Sequence, residues 1–191
     1  MMKKLIFSSV TIVLLGTLVT AQVLNKKPAE APEAEDITAL VLQYKKEATQ
    51  SLEPYRYDNS KITYFLYKPF EQIKEVEVFF FNTSEYRISF NSKAVKDPIV
   101  VEIYDKPIDA PNRTLLYKKD GVQGGLFQCT SKELKDKLVE ALGKELQLKK
   151  VYIDYRIPAK AKETTTDERT GEEFTTRHKA AMVLAMGYSN L

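Results

Sequence analysis

The chain has 191 residues, 29 of them basic and 26 acidic, with one cysteine, one histidine and no tryptophan. So even a charge balance gives no reason to expect nucleic acid or an anionic surface as partner. A lone cysteine excludes an internal disulfide framework, and a lone histidine excludes the usual His-rich metal centre.

Lys3 and Lys4 precede an apolar run over 5–19, and Val19-Thr20-Ala21 places small residues at the cleavage positions. This has the charge, length and exit of a secretory signal peptide, with cleavage expected after Ala21. An uncleaved anchor is the alternative, since the run approaches the ~20 residues that a spanning helix needs. The junction has no cysteine, which excludes a lipoprotein anchor. Removing residues 1–21 leaves 170 residues, 27 basic and 26 acidic, enough for one domain with its own core.

Residues 22–36 are rich in Pro, Ala and Glu and read as a solvated linker. Ile37, Leu40, Val41, Tyr44 and Ala48 then recur at helical spacing, which predicts an amphipathic helix ending before Pro54. From Tyr55 onward the chain turns to short β-rich runs. Strands are expected near 62–68, 74–81, 86–90, 99–104, 114–118, 126–130, 151–157 and 180–188, with prolines outside their centres. One helix interrupts them: Thr130 and Glu133 have capping-box spacing, and Leu134, Leu138, Ala141, Leu142 and Leu146 form a stripe, weakened by Gly143. Residues 159–179 read as a mobile loop or a hairpin turning near Gly171. The expected fold is mainly β: an antiparallel β-sandwich of about eight strands in residues 37–191, with an N-terminal helix and one inserted helix.

KEVEVFFFNTSEYRISF, residues 74–90, presents three adjacent phenylalanines, and a strand cannot send all three to one face. A three-residue loop over Asn82-Thr83-Ser84 would make a hairpin that pairs Phe81 with Glu85. Phe80, Tyr86, Val78, Ile88, Val76 and Phe90 then share the core face, whereas Glu75, Glu77, Ser89 and Asn91 share the other. Phe79 and Phe81 fall on that polar face, beside Arg87 and Glu85. Burial under the N-terminal helix or another strand, with Arg87 over Phe79, is the favoured reading. If Phe79 and Phe81 are open instead, they and Arg87 are the candidate partner-binding residues.

Catalytic and cofactor chemistry has little support, and no catalytic, metal or cofactor residues are assigned. A Cys129–His178 nucleophile pair is conceivable, but Cys129 lies in an apolar strand where cysteine behaves as a small hydrophobe. GVQGG lacks the spacing of the phosphate-binding glycine motifs, and there is no G-x-S-x-G elbow. Asp167, Glu168, Glu172 and Glu173 cluster late in the chain without calcium-loop spacing and read as a solvated loop. Tyr55, Tyr57, Tyr64 and Tyr67 offer an alternative, an aromatic platform for a glycan or small molecule. A core strand with two usable faces explains the same tyrosines. Asn82-Thr83-Ser84 and Asn112-Arg113-Thr114 match the glycosylation sequon, which matters only in a eukaryotic secretory pathway.

YDNSKIT, KEVEVFFFNTSEYRISFN, IVVEIYDK, KKVYIDYRIP and AAMVLAMGY together span most of the domain. On these segments the chain resembles a loose group of small exported β-sandwich proteins of unassigned function from Bacteroidota-type Gram-negative bacteria. The resemblance implies an exported sandwich in a cell-envelope setting, periplasmic, outer-membrane-associated or extracellular, and supplies no active-site residues. The expected function is non-catalytic binding of another envelope protein, as an accessory subunit of an envelope assembly. Nucleic acid is not expected as a partner, nor is a transmembrane span after signal cleavage. A hydrolase built on paired carboxylates is the least favoured class, and it requires two acids converging in one cleft.

Overall fold

The computed structural model describes residues 37–81, 83–161, 163–166, 171, 173–176 and 178–190. The expected signal peptide and linker, and Asp167, Glu168 and Glu172 of the late acidic cluster, lie outside the described residues; Glu173 is exposed.

Helix α1 (Thr38–Gln50) is followed by β1 (Arg56–Leu66), β2 (Gln72–Phe79), β3 (Ser84–Asn91), β4 (Ile99–Tyr104), β5 (Leu115–Val122) and β6 (Leu126–Thr130). Helix α2 (Ser131–Leu142) then leads to β7 (Lys150–Ile157), β8 (Glu163–Thr166), β9 (Glu173–Thr176) and β10 (Lys179–Asn190). The fold is mainly β, with two antiparallel four-stranded sheets ordered β1-β10-β3-β6 and β2-β7-β4-β5. Each of these eight strands overlaps one of the eight runs expected from the sequence, with β1 starting at Arg56 rather than Ile62 and ending at Leu66 rather than Lys68. Strands β8 and β9 pair antiparallel as a separate two-stranded sheet, which agrees at the described residues with the hairpin of the two expectations. Gly171 there has a φ of 69°.

The two sheets share one core to which both contribute alternate residues, an arrangement consistent with a β-sandwich. Val76, Val78 and Phe80 point inward from the second sheet and meet Tyr86, Ile88 and Phe90 of the first. The Phe80 and Tyr86 rings lie 5.3 Å apart. The expected β2–β3 hairpin does not form, because β2 pairs with β7 and β3 with β10 and β6. Strands β2 and β3, consecutive in the chain, thus belong to different sheets. Alternation selects the inward residues equally well for hairpin partners and for strands facing each other across a core. The face of each residue was therefore right and the neighbour wrong.

Strand β10 is apolar on both faces, as a central strand covered on both sides must be. Met182, Leu184 and Met186 enter the main core. Ala181, Val183 and Ala185 face the other way, into a second cluster with Ile37, Val41, Ala48 and Leu52. Helix α1 thus lies on the outer face of the first sheet, where small alanine side chains admit it closely. Polar groups under it are paired: Ser89 Oγ lies 2.6 Å from Ser51 Oγ, and Asn91 Nδ2 donates to the Tyr44 carbonyl at 3.1 Å and to Glu47 Oε2 at 3.0 Å.

Helix α2 has the expected capping box, with the Glu133 amide donating to Thr130 Oγ1 at 3.2 Å and the Thr130 amide to Glu133 Oε2 at 2.8 Å. Gly143 is its C-cap rather than an interior weakness, since its φ of 66° suits the left-handed position. The stripe accordingly stops early: Leu134 and Leu138 are buried, whereas Leu142 and Leu146 are exposed. Helix α2 packs against β3, β5 and β6, covering one open side of the two sheets. Over the opposite side, between edge strands β1 and β2, no helix lies among the described residues.

At Gly187 a Cβ would lie 2.9 Å from the Arg56 carbonyl oxygen and 3.1 Å from Tyr55 Cβ. Backbone cannot yield cheaply there. Gly187→Ala is expected to destabilise by about 1–3 kcal/mol, the usual range for overpacking, measured by urea unfolding.

Candidate functional site

The β1/β2 side is where the fold leaves its edges accessible. The Phe80 amide donates to the Lys149 carbonyl at 2.7 Å, so even-numbered residues of β2 turn their backbone groups toward β7. By alternation Ile73, Glu75, Glu77 and Phe79 turn theirs toward the free edge. Phe79 and Phe81 are 59% and 69% exposed, the latter the highest value among large apolar side chains of the described residues. Among the described residues neither α1 nor another strand covers them, which corrects the favoured expectation of burial. Helix α1 covers the other sheet, whose outer face supplies its apolar contacts.

A cleft of about 340 Å³ runs beside the two phenylalanines. Its rim includes Asp58 and Lys61 of β1 and Glu77 of β2, and its lining reaches the core residues Val78 and Leu184. Lys150 Nζ stands 5.8 Å from the Phe79 ring centre and pairs with Glu77 Oε1 at 2.7 Å. The hydrogen bond to Glu77 holds the Lys150 pKa above the usual lysine range. The cation beside Phe79 is therefore Lys150, not Arg87. Arg87 belongs to the other sheet, where its guanidinium lies 4.2 Å over Tyr55 and donates to the Glu53 carbonyl at 2.9 Å. Sequence reading paired the wrong strands and so chose the wrong cation.

The four tyrosines of the alternative reading do not form one platform. Tyr67 is buried, exchanging hydrogen bonds with Asp97 at 3.1 and 3.0 Å and meeting Phe65 edge-on at 5.6 Å. Tyr55 is held between Arg87 and Glu85, to which its hydroxyl donates at 2.9 Å. Tyr57 and Tyr64 are exposed, the first beside Ser60 and the second under Lys179, whose Nζ is 5.0 Å from its ring centre. No two of the four stack on each other among the described residues.

Cys129 and His178 are likewise apart. Cys129 is opposite Ile88, which is opposite Met186, whereas His178 precedes the first residue of β10. Eight residues of strand separate those levels, roughly 25 Å. Burial pushes the Cys129 thiol up to about 12, which keeps it protonated and unreactive.

One cluster escaped the sequence reading. Glu75, Asp154 and Glu102 stand directly opposite one another on β2, β7 and β4, with Lys118 of β5 next in the row. Like charges in such a row repel, so cations must hold it. Arg113 donates to Asp154 Oδ2 at 2.9 Å and to Glu75 Oε2 at 3.3 Å, with its guanidinium 3.8 Å over Tyr104. Arg156 donates to Glu102 Oε2 at 2.5 Å. Asp154 is fully buried, and its Oδ1 has no partner among the described residues. The carboxylates converge on guanidinium groups across a sheet face. Among the described residues no group of acids, histidine or cysteine is arranged to hold a metal. The available signal was a pair of charges, Asp154 and Arg156, inside the otherwise apolar run YIDYRI.

Burial raises the Glu75 pKa, with Asp154 adding to the rise against the Ile108 amide and Arg113. Folded Glu75 keeps its proton to higher pH than unfolded Glu75. Its favourable contribution is therefore complete below the unfolded carboxyl pKa of about 4.3 and is lost as pH rises through the folded value. Glu75→Gln is expected to flatten that decline and to be at least as stable as the parent at neutral pH. Urea midpoints measured across the acidic range check this; an unchanged slope contradicts it. Burial also opposes ionisation of Glu102, but hydrogen bonds from Arg156 and Tyr104 outweigh it and hold that carboxyl below its usual range.

No protein-family model matches this chain, and no curated protein is significantly similar to it in sequence.

Proposed function

We propose that this chain is a non-catalytic, exported cell-envelope protein that works by binding another protein through Phe79, Phe81 and the cleft beside them. The observation that carries the reading is the exposure of two same-face phenylalanines at a free sheet edge, next to the outer glutamates Glu75 and Glu77 of β2. Exposed aromatic side chains beside a groove are the usual anchors of protein interfaces. The envelope setting is supported by the signal-like residues 1–21 and by the resemblance to small exported β-sandwich proteins. Among the described residues no helix is long and apolar enough to cross a membrane. Crosslinking and affinity purification from the native cell test the reading. A reproducible partner should be recovered with the parent chain and lost with Phe79→Ser/Phe81→Ser; recovery of the chain alone contradicts it.

A further inference from the structure

The free edge of β2 and the lysines at its far end specify the occupant more closely, given that Phe79 and Phe81 bind a protein. Beyond the cleft at Phe79, a second hollow of about 360 Å³ lies between the same two strands. Tyr64 and Leu66 of β1, Gln72 and Lys74 of β2, Lys68 and Lys179 line it. Its three lysines have no acidic neighbour in that lining, and none has an ion pair among the described residues. One side of the fold therefore carries, in sequence along one strand, an aromatic cleft, edge amides and carbonyls facing no neighbouring strand, and a basic end without an ion pair among the described residues.

We infer that this edge takes an extended segment of the partner protein as a fifth strand beside β2, with alternating apolar residues at the Phe79 end and acidic residues at the Lys68, Lys74 and Lys179 end. Backbone groups of Ile73, Glu77 and Phe79 need hydrogen-bonding partners when covered, and an extended backbone supplies them. A lipid surface offers apolar contact to the phenylalanines but would leave those groups unsatisfied. A second copy of β2 is disfavoured by charge. In an antiparallel ladder, only residues with the same edge orientation stand opposite each other. Self-pairing centred on Glu75, Val76 or Glu77 then sets glutamate against glutamate. The neighbouring pairs of the sheet are all antiparallel. Continuing that pattern, the partner strand runs from Phe79 toward Gln72, so its acidic residues follow its apolar ones.

The test uses the isotopically labelled full chain and short synthetic peptides of alternating threonine and valine, one ending in three aspartates and one in three lysines. The acid-ended peptide should bind about tenfold more tightly at low salt, an advantage that shrinks as salt rises. It should also slow amide exchange at Ile73, Glu77 and Phe79. Lys68→Glu/Lys74→Glu/Lys179→Glu, whose folding is verified by its thermal melt, should reverse the preference between the two peptides. Equal affinity for both endings, no slowing at those amides, or binding only to phosphatidylglycerol vesicles overturns the proposal. If a native partner is lost with Phe79→Ser/Phe81→Ser but leaves the β2 amides unprotected, strand addition is overturned while the partner-binding reading stands. If partner recovery does not depend on Phe79 and Phe81, that reading itself falls.

Discussion

Arg113→Ala should cost this fold about 3–5 kcal/mol, the penalty for removing one member of a buried ion pair. Asp154 is 0% exposed, and one of its oxygens already lacks a partner among the described residues. The other accepts from Arg113 at 2.9 Å. Without the guanidinium, the carboxylate is left without its charge partner in a site closed to solvent. The stack on Tyr104 and the second contact to Glu75 go as well. Against a typical domain stability of about 5–15 kcal/mol the loss is large, and guanidinium unfolding will resolve it. Replacing both partners with apolar residues of similar size, Arg113→Met/Asp154→Leu, should recover most of it, because no buried charge remains. A single variant within about 0.5 kcal/mol of the parent would show that solvent reaches Asp154.

The second large effect concerns binding and leaves stability alone. Phe79→Ser/Phe81→Ser changes two exposed side chains and should shift unfolding by no more than about 0.5 kcal/mol. If the two rings anchor a partner, the same change should weaken its binding by at least about 2 kcal/mol, roughly thirtyfold in Kd. Phe80 between them is a control with the opposite signature. It is buried against Tyr86, so Phe80→Ala should cost about 3–5 kcal/mol of stability. Three consecutive phenylalanines thus divide into one that holds the fold and two that are free to act outside it. Calorimetric melts of the three variants, set beside partner titrations, check both halves.

Much of this division was legible from period-two alternation. It located the strands and assigned Phe80 to the core, with Phe79 and Phe81 on the opposite face. It could not say that β2 and β3 belong to different sheets. Asn82-Thr83-Ser84 suits a hairpin as well as a crossing between sheets, and both put the same residues inside. The helical stripe of α1 required a cover without naming one. The sheet it covers presents Ser89 and Asn91, which look like surface residues until Ser51, Tyr44 and Glu47 are seen to satisfy them. The acid row was hidden for a related reason. Glu75, Glu102 and Asp154 come from three distant segments, and only strand register sets them opposite each other. Arg113, which holds two of them, lies in the connection between β4 and β5, where alternation carries no information.

A working surface at the β1/β2 seam, as proposed for Phe79 and Phe81, would be contacted by a partner in the cell. Its most direct test places a photo-crosslinking amino acid at Phe79, at Phe81 and, as a control, at exposed Lys132 on α2, in the native cell. One discrete adduct shared by positions 79 and 81 and absent at 132 is expected. The same adducts at all three positions, or an adduct at 132 alone, would contradict it.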